Sequence, residues 1–360
     1  AKDILCYISI IARPVQIESL VYLLNKNEGE LIDSIDKLLE IHLLEEKDIS
    51  FYYFREGITL QSIYSSIKEN QKKYMHKNVA IMLEYKYENI INDYIEEIVF
   101  HAIKSGDDEL VKKYIESAAK KLKTMHMYHD AIDLYKRAID ICKIRDKKVE
   151  LLEELTLIYN TIGNYTESID LINIYIKDEN YRDYIGKLYF LNANNLLENY
   201  QFKKSEKMFH KALKHTRNQD MMNNINVNLA WLYANNMKYD KASLICFKLL
   251  TYKNLSNITK GDIYNTLGAI FSIRNDTKAE IYYQKALKYR KSTGDKRRIA
   301  AVLTNLAIVY SDNGQYRKAI NNFKKALSVF EDASYIKGIV IVLLDPVSYT
   351  HLTLPTICSV

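Results

Sequence analysis

Along most of this chain the apolar residues recur at intervals of three and four, the spacing that lays a single stripe along a helix. From residue 131 onward the stripe is organised in helix pairs. A small residue marks the second helix of each pair, at Ala131, Ser168, Ser205, Ala242, Ala279 and Ala319, and these positions are 37, 37, 37, 37 and 40 residues apart. Matching companions surround each one. The clearest copy reads Asn305-Leu306-Ala307, Tyr310, Gly314, Tyr316, Ala319, Phe323, Ala326 and Leu327. Leu267, Gly268, Phe271, Ala279, Tyr283 and Ala286 repeat it upstream, as do Leu229, Ala230, Tyr233, Ala242, Cys246 and Leu249. Small residues at two points let paired helices approach, and large ones between them fill the groove. The pattern predicts an all-α superhelical solenoid over residues 89–345, with about six repeats and a truncated last one. Residues 89–125 share the helical spacing through Ile98, Val99, Ala102, Val111, Ile115 and Ala118.

Residues 1–88 lack the repeat. Ile4, Leu5, Ile8 and Ile11 predict one helix, Ile17, Leu20, Val21 and Leu24 a second, and Leu31, Ile32, Ile35, Leu38 and Leu39 a third. Leu43-Leu44, a polar turn and the aromatic run Phe51-Tyr52-Tyr53-Phe54 then predict a hairpin. Three helices and a hairpin are the plan of a small winged-helix-like domain.

Composition supports the helical reading. The 360 residues include 3 Pro and 10 Gly, and no Pro lies between Val15 and Asp345. Sandwiches, barrels and dinucleotide folds need many tight turns, which use those two residues. The glycines are too scattered for a phosphate-cradling loop, and no hydrolase, kinase or metalloprotease motif is present. We therefore expect a non-enzyme with no catalytic residues, no cofactor and no metal. His126 and His129 fall three apart on a predicted helix and read as surface histidines without a third ligand. The four cysteines are dispersed without a CxxC pair, and no uncharged run of 18 residues exists. The expectation is a cytoplasmic protein that does not cross a membrane. A net charge of +6 is mild, and 30 Tyr against 10 Phe suggest half-exposed aromatic packing.

The repeat unit resembles the tetratricopeptide pattern, with its Leu-small-x-x-Tyr first helix and A-x3-F-x2-A second helix. Here the small residue of the second helix is Ser in two units, the turn before Ala279 is one residue short, and the consensus Pro is missing throughout. His101 to Asp107 resembles the opening repeat of such arrays. Residues 1–88 are similar to the winged-helix linker of signal-transducing ATPases with numerous domains (the STAND class). Leu38 to Leu44, Tyr53-Phe54-Arg55, Ile63 to Ile67 and Lys73 to Ala80 carry that resemblance, with Glu56 where the family has His. The resemblance implies an upstream NTPase module in a parent chain, with the repeats as sensor. The tail 346–360 resembles a translated sequencing adapter, so Cys358 and His351 are excluded from the reading and the chain reads as open at both ends.

First-helix residues of such an array line its concave side. By register, the groove candidates are Phe190, Asn194, Asn224, Val227, Trp231, Asn235, Asn265, Thr304 and Asp312. Asn side chains can pair with an extended peptide backbone, and Trp231 can anchor an apolar side chain. The predicted partner is thus a protein or peptide. The most basic stretch, Lys285 to Arg298, reads as a solvated helix end rather than a nucleic-acid site. Residues 28–48 hold eight acids against Lys37 and Lys47, which repels a duplex. The alternatives are a stand-alone repeat scaffold or peptide-binding regulator, or the regulatory part of a chain with a downstream cyclase or kinase.

Overall fold

The computed structural model describes residues 1–47, 50–332 and 335–344, and these form an all-α fold with one small sheet. The expected adapter-like tail and part of the predicted hairpin turn, Asp48 and Ile49, lie outside the described residues. The chain divides into two compact units, Ala1–Leu152 and Glu153–Val360.

The first unit holds α1 (Lys2–Ile11), β1 (Val15–Gln16), α2 (Ile17–Leu24), α3 (Glu28–Glu40), β2 (Leu44–Glu46), β3 (Phe51–Phe54), α4 (Gly57–Ser66), α5 (Glu69–Lys86), α6 (Ile91–Ser105), α7 (Asp108–Thr124) and α8 (Tyr128–Ile141). The three predicted helices and both hairpin strands are present. A third strand, β1, pairs antiparallel with β3, giving the order β1-β3-β2. Tyr52 and Phe54 are buried while Phe51 and Tyr53 are half-exposed, the period-two alternation of a one-sided sheet. The compact division does not fall at residue 88. Arg13 pairs with Glu97 at 2.8 Å, and the buried His76 and His101 rings meet Nδ1 to Nδ1 at 2.8 Å. These contacts fasten residues 1–88 onto α6. Gly106 ends α6 in a left-handed turn, and the Asp107 carboxylate accepts from the Glu109 and Leu110 amides to cap α7.

One helix, α9 (Arg145–Ile162), carries the chain from the first unit into the second. There follow α10 (Tyr165–Lys177), α11 (Ile185–Glu198), α12 (Phe202–His215), α13 (Gln219–Asn235), α14 (Tyr239–Leu250), α15 (Asn257–Ile273), α16 (Lys278–Lys291), α17 (Lys296–Asp312), α18 (Tyr316–Asp332) and α19 (Ile336–Leu344). Helices α11 to α18 form four pairs, in which each second helix packs on its own first helix and on the first helix of the next pair. Ser205, Ala242, Ala279 and Ala319 are all buried, as the register requires. At Ser205 the hydroxyl donates to the Ala193 carbonyl at 2.7 Å, so a polar small residue is satisfied inside the contact. Gly268 needs to be glycine for another reason. A Cβ there would stand 2.6 Å from the Tyr283 ring.

The turn between paired helices uses one device throughout. A residue with positive φ stands at His126 (61°), Gly163 (81°), Tyr200 (56°), Met237 (59°), Asn275 (51°) and Gly314 (71°). The amide of the next residue donates back to a carbonyl near the helix end: Asn164 to Tyr159, Gln201 to Leu196, Lys238 to Tyr233, Asp276 to Phe271 and Gln315 to Tyr310. This left-handed C-cap usually employs Gly. Here four of the six positions do without it, which accounts for the low glycine content of so many turns. It also moves His126 off the helix on which the sequence placed it. His126 is the turn residue and bonds Tyr128, while His129 lies exposed on α8.

Candidate functional site

The nine candidate groove residues lie on the first helices of the second unit, and their positions differ sharply. Phe190 and Asn194 sit half-buried on α11, where Phe190 packs against Phe209. On α13, Trp231 is half-buried against the cluster of Leu229, Leu232 and Phe209, and Asn224 and Asn235 are exposed. Asp312 is exposed at the end of α17. Val227, by contrast, is 5% exposed within the cluster of Ala230, Leu249, Ile263 and Leu267. Thr304 is 3% exposed, and its hydroxyl donates to the Ala300 carbonyl of its own helix. Neither side chain is free for a ligand, since Val227 packs with Ile263 and Leu267 of the next first helix and Thr304 is buried and bonded within its own.

Asn265 is also buried, and there it forms part of a link that the sequence did not reveal. Asn305 on α17 donates through Nδ2 to Asn265 Oδ1 at 3.1 Å. One repeat earlier, Thr259 on α15 donates to Asn224 Oδ1 at 3.2 Å. Polar side chains thus tie successive first helices to each other. Asn235 donates to the Trp231 carbonyl of its own helix. Asn194 Oδ1, shielded from solvent, has no hydrogen-bond partner among the described residues. What this face offers chemically is an aromatic plane at Trp231 beside amide groups on α11 and α13, the combination that grips a peptide side chain and its backbone.

The basic stretch after Lys285 is not simply solvated. Arg290 is buried, donates to the Arg298 carbonyl at 2.9 Å and to Asp262 at 3.0 Å, and shares Asp262 with the Arg298 guanidinium. Burial pushes the Arg290 pKa down, and the Asp262 charge opposes that shift. Gly261 makes room for the arrangement, since a Cβ there would meet the Arg290 stem at 3.0 Å. Tyr283 is a core residue, and Tyr289 stacks on Tyr264 with ring centroids 5.6 Å apart.

The other unassigned cluster is the His76–His101 pair. Both residues lie within the sequence motifs described above, which assign neither a role. Desolvation holds both imidazoles neutral, with pKa values pushed down to about 4 for His76 and about 3 for His101. Among the described residues no group of three or more His, Cys, Asp or Glu is placed to hold a metal ion. None of the described helices is long and apolar enough to cross a membrane. Cys246 is inert core, its thiol pushed up to about 12 by burial.

Residues 260–332, which run from α15 to the end of α18, match the tetratricopeptide repeat family. These two helix pairs are similar to tetratricopeptide repeats. A tetratricopeptide repeat protein from Parabacteroides merdae has the same fold, with 12% identity and a TM-score of 0.52, over 73% of this chain and 98% of that one. A signal transduction ATPase with numerous domains from Pyrococcus horikoshii, described with a tetratricopeptide repeat sensor, is similar at 19% identity and a TM-score of 0.48. That match covers 95% of this chain and 52% of the other, so the chain spans about half of that protein's length. A Rap protein complexed with competence and sporulation factor matches at 18% identity and a TM-score of 0.40, over 79% and 73% of the two chains. No curated protein sequence matches the chain.

Proposed function

We propose that this chain is a protein- or peptide-binding repeat module acting as the sensor and regulatory arm of a larger signal-transducing ATPase or transcriptional regulator. The observation that carries the binding reading is the position of Trp231. It stands half-buried on a first helix, with the amides of Asn194, Asn224 and Asn235 on the same and the preceding first helix. An indole held on one side by its own core and open on the other is a ready anchor. The arm reading rests on the order of parts: three helices and a small sheet in residues 1–54, a helical linker, then helix pairs. Residues 1–88 act in this reading as a winged-helix-like spacer rather than a DNA reader, since α3 and the residues after it are acidic. Ligand held by the repeats would shift an upstream NTPase only through its different affinity for the two states.

Trp231 is the chain's single tryptophan, so its fluorescence reports on the candidate face without a label. Titration with pools of short peptides should quench or shift that emission for some pools. Replacing Asn194 and Asn235 with Ala should weaken the same pools while leaving the far-ultraviolet helix signal intact. If no pool moves the emission, or if the Asn variants bind unchanged, the face is not the binding surface. The arm reading is tested separately. Nucleotide turnover of the full-length parent must change when the repeats are deleted, and equal turnover would leave a stand-alone scaffold.

A further inference from the structure

Charge in the second unit is sorted by helix. The second helices α12, α14, α16 and α18 carry sixteen Lys and Arg against five Asp and Glu, while the first helices α11, α13, α15 and α17 carry five against four. The whole chain is only +6, so everything outside those second helices is net acidic. Part of the basic set has a structural role. A lysine stands immediately before each small residue, at Lys204, Lys241, Lys278 and Lys318, and three of these lie over a first-helix ring: Lys241 over Tyr233, Lys278 over Phe271 and Lys318 over Tyr310. Lys203, Lys207, Lys214, Lys288, Lys291 and Lys324 have no such task. They are exposed and form no ion pair among the described residues. Between them, Leu244 (70%) and Ile281 (52%) project at the same register position of α14 and α16. Bare aliphatic groups inside a basic field do not suit phosphates, but they suit an acidic amphipathic protein segment.

The chain contains such a segment. Helix α3 bears Glu28, Glu30, Asp33, Asp36 and Glu40 against Lys37 alone, and none of the five carboxylates forms an ion pair among the described residues. Its buried side is Leu31, Ile35 and Leu38, its opposite side carries Asp33, Asp36 and Glu40, and Ile32 is exposed on the flank between, with Ile41 at 63% exposure just beyond the helix. Thirteen residues make a rod of about 20 Å, long enough to lie across more than one second helix. Acid and apolar groups alternate on it as base and apolar groups alternate on the second helices.

We propose that the second helices of the repeats dock helix α3 of a second copy of this chain. The two surfaces are different patches, so the contact is heterologous and propagates from copy to copy into a ring or an open row. Ion pairs steer and register the contact, and Leu244 and Ile281 meet Ile32 and Ile41.

The test is sedimentation velocity on the whole chain over a concentration series, in about 0.1 M and about 1 M salt, where the Debye length falls from about 10 Å to about 3 Å. The expected result is concentration-dependent association in the first buffer that the second reverses. Lys207→Glu with Lys288→Glu, and separately Asp33→Lys with Asp36→Lys, should each weaken association by about tenfold or more. Neither pair forms an ion pair or side-chain hydrogen bond among the described residues, although the Asp36 charge acts on Tyr52, and retained helicity checks that both variants are folded. Mixing the two variants restores opposite charges and should restore association between them. A wild type that stays monomeric at low salt overturns the proposal, as does an α3 variant that associates normally or a mixture that does not recover. In the monomeric case, binding of a single-stranded oligonucleotide that is lost in the Lys207→Glu, Lys288→Glu chain would reassign the face to nucleic acid.

Discussion

Met237 holds a φ of 59° at the turn between α13 and α14, and its side chain is 78% exposed. A residue with a Cβ is destabilised in this region by roughly 1–2 kcal/mol relative to its normal conformation. Glycine escapes that cost but loses more backbone entropy on folding, by about 0.4–1 kcal/mol. Little packing is forfeited, because the side chain lies in water. Met237→Gly should therefore stabilise the chain by about 0.5–1 kcal/mol. The converse experiment is Gly314→Ala, at φ 71° with nothing within 4 Å of the added Cβ. There the methyl group has open space and only the backbone objects, so the expected loss is about 1 kcal/mol. Both variants can be compared with the parent by urea denaturation followed by helix circular dichroism, reading midpoint shifts at constant slope. A destabilised Met237→Gly beside an indifferent Gly314→Ala would refute the argument that these turns are governed by left-handed backbone strain. Tyr200 makes the poorer target at the same turn position, since its ring also packs edge-on to Phe202 at 6.2 Å.

Three further outcomes are expected. Gly268→Ala should cost about 1–3 kcal/mol by denaturation, because the new methyl must push the Tyr283 ring out of the α15–α16 contact; a neutral result would mean that the ring swings aside freely. Ala242→Leu should cost a similar about 1–3 kcal/mol at the α13–α14 contact, and no loss would contradict the repeat register. The buried histidine pair gives a pH dependence of fixed sign: folded pKa values below the unfolded 6.5 mean that unfolding takes up protons, so stability is intact above pH 6.5 and falls as pH drops toward about 4 and about 3. A His76→Gln, His101→Gln chain should show a flatter stability profile in that window, and parallel profiles would show that other groups set the acid response.

The repeat register was legible because it rests on volume. A small residue every 37 residues or so, flanked by rings, has few structural meanings, and each marked position is buried. The candidate face was less legible. Register placed Val227 and Thr304 with Trp231, but only packing shows which side of a first helix a neighbour already covers. Val227 meets Ile263 and Leu267 on α15, so its position faces the next repeat. The Asn265–Asn305 bond joins residues 40 apart, and no local pattern announces it. The His76–His101 contact was likewise hidden, because it depends on how α5 lies against α6.

The abundance of tyrosine acquires a more specific explanation than half-exposed packing. In one repeat Tyr233 donates to Glu206 at 2.6 Å, accepts from Lys241 at 2.7 Å and lies beneath the Lys241 ammonium. Two repeats later Tyr310 donates to Glu280 at 3.0 Å and lies beneath Lys318. In both cases the acid follows the small residue of the preceding second helix, and the lysine precedes the small residue of the tyrosine's own pair. The ring fills the groove within one repeat, and the hydroxyl reaches back to the repeat before it. Phenylalanine would supply the first function and not the second. Tyr233 further holds the Glu206 carboxyl below its ordinary range, so the link requires an ionised acid and fades when that acid is protonated. Adjacent repeats in such an array are coupled chiefly through their shared interface. A charge-assisted bond at the rim of that interface, recurring in alternate repeats, makes the coupling depend on a few polar atoms as well as on buried area.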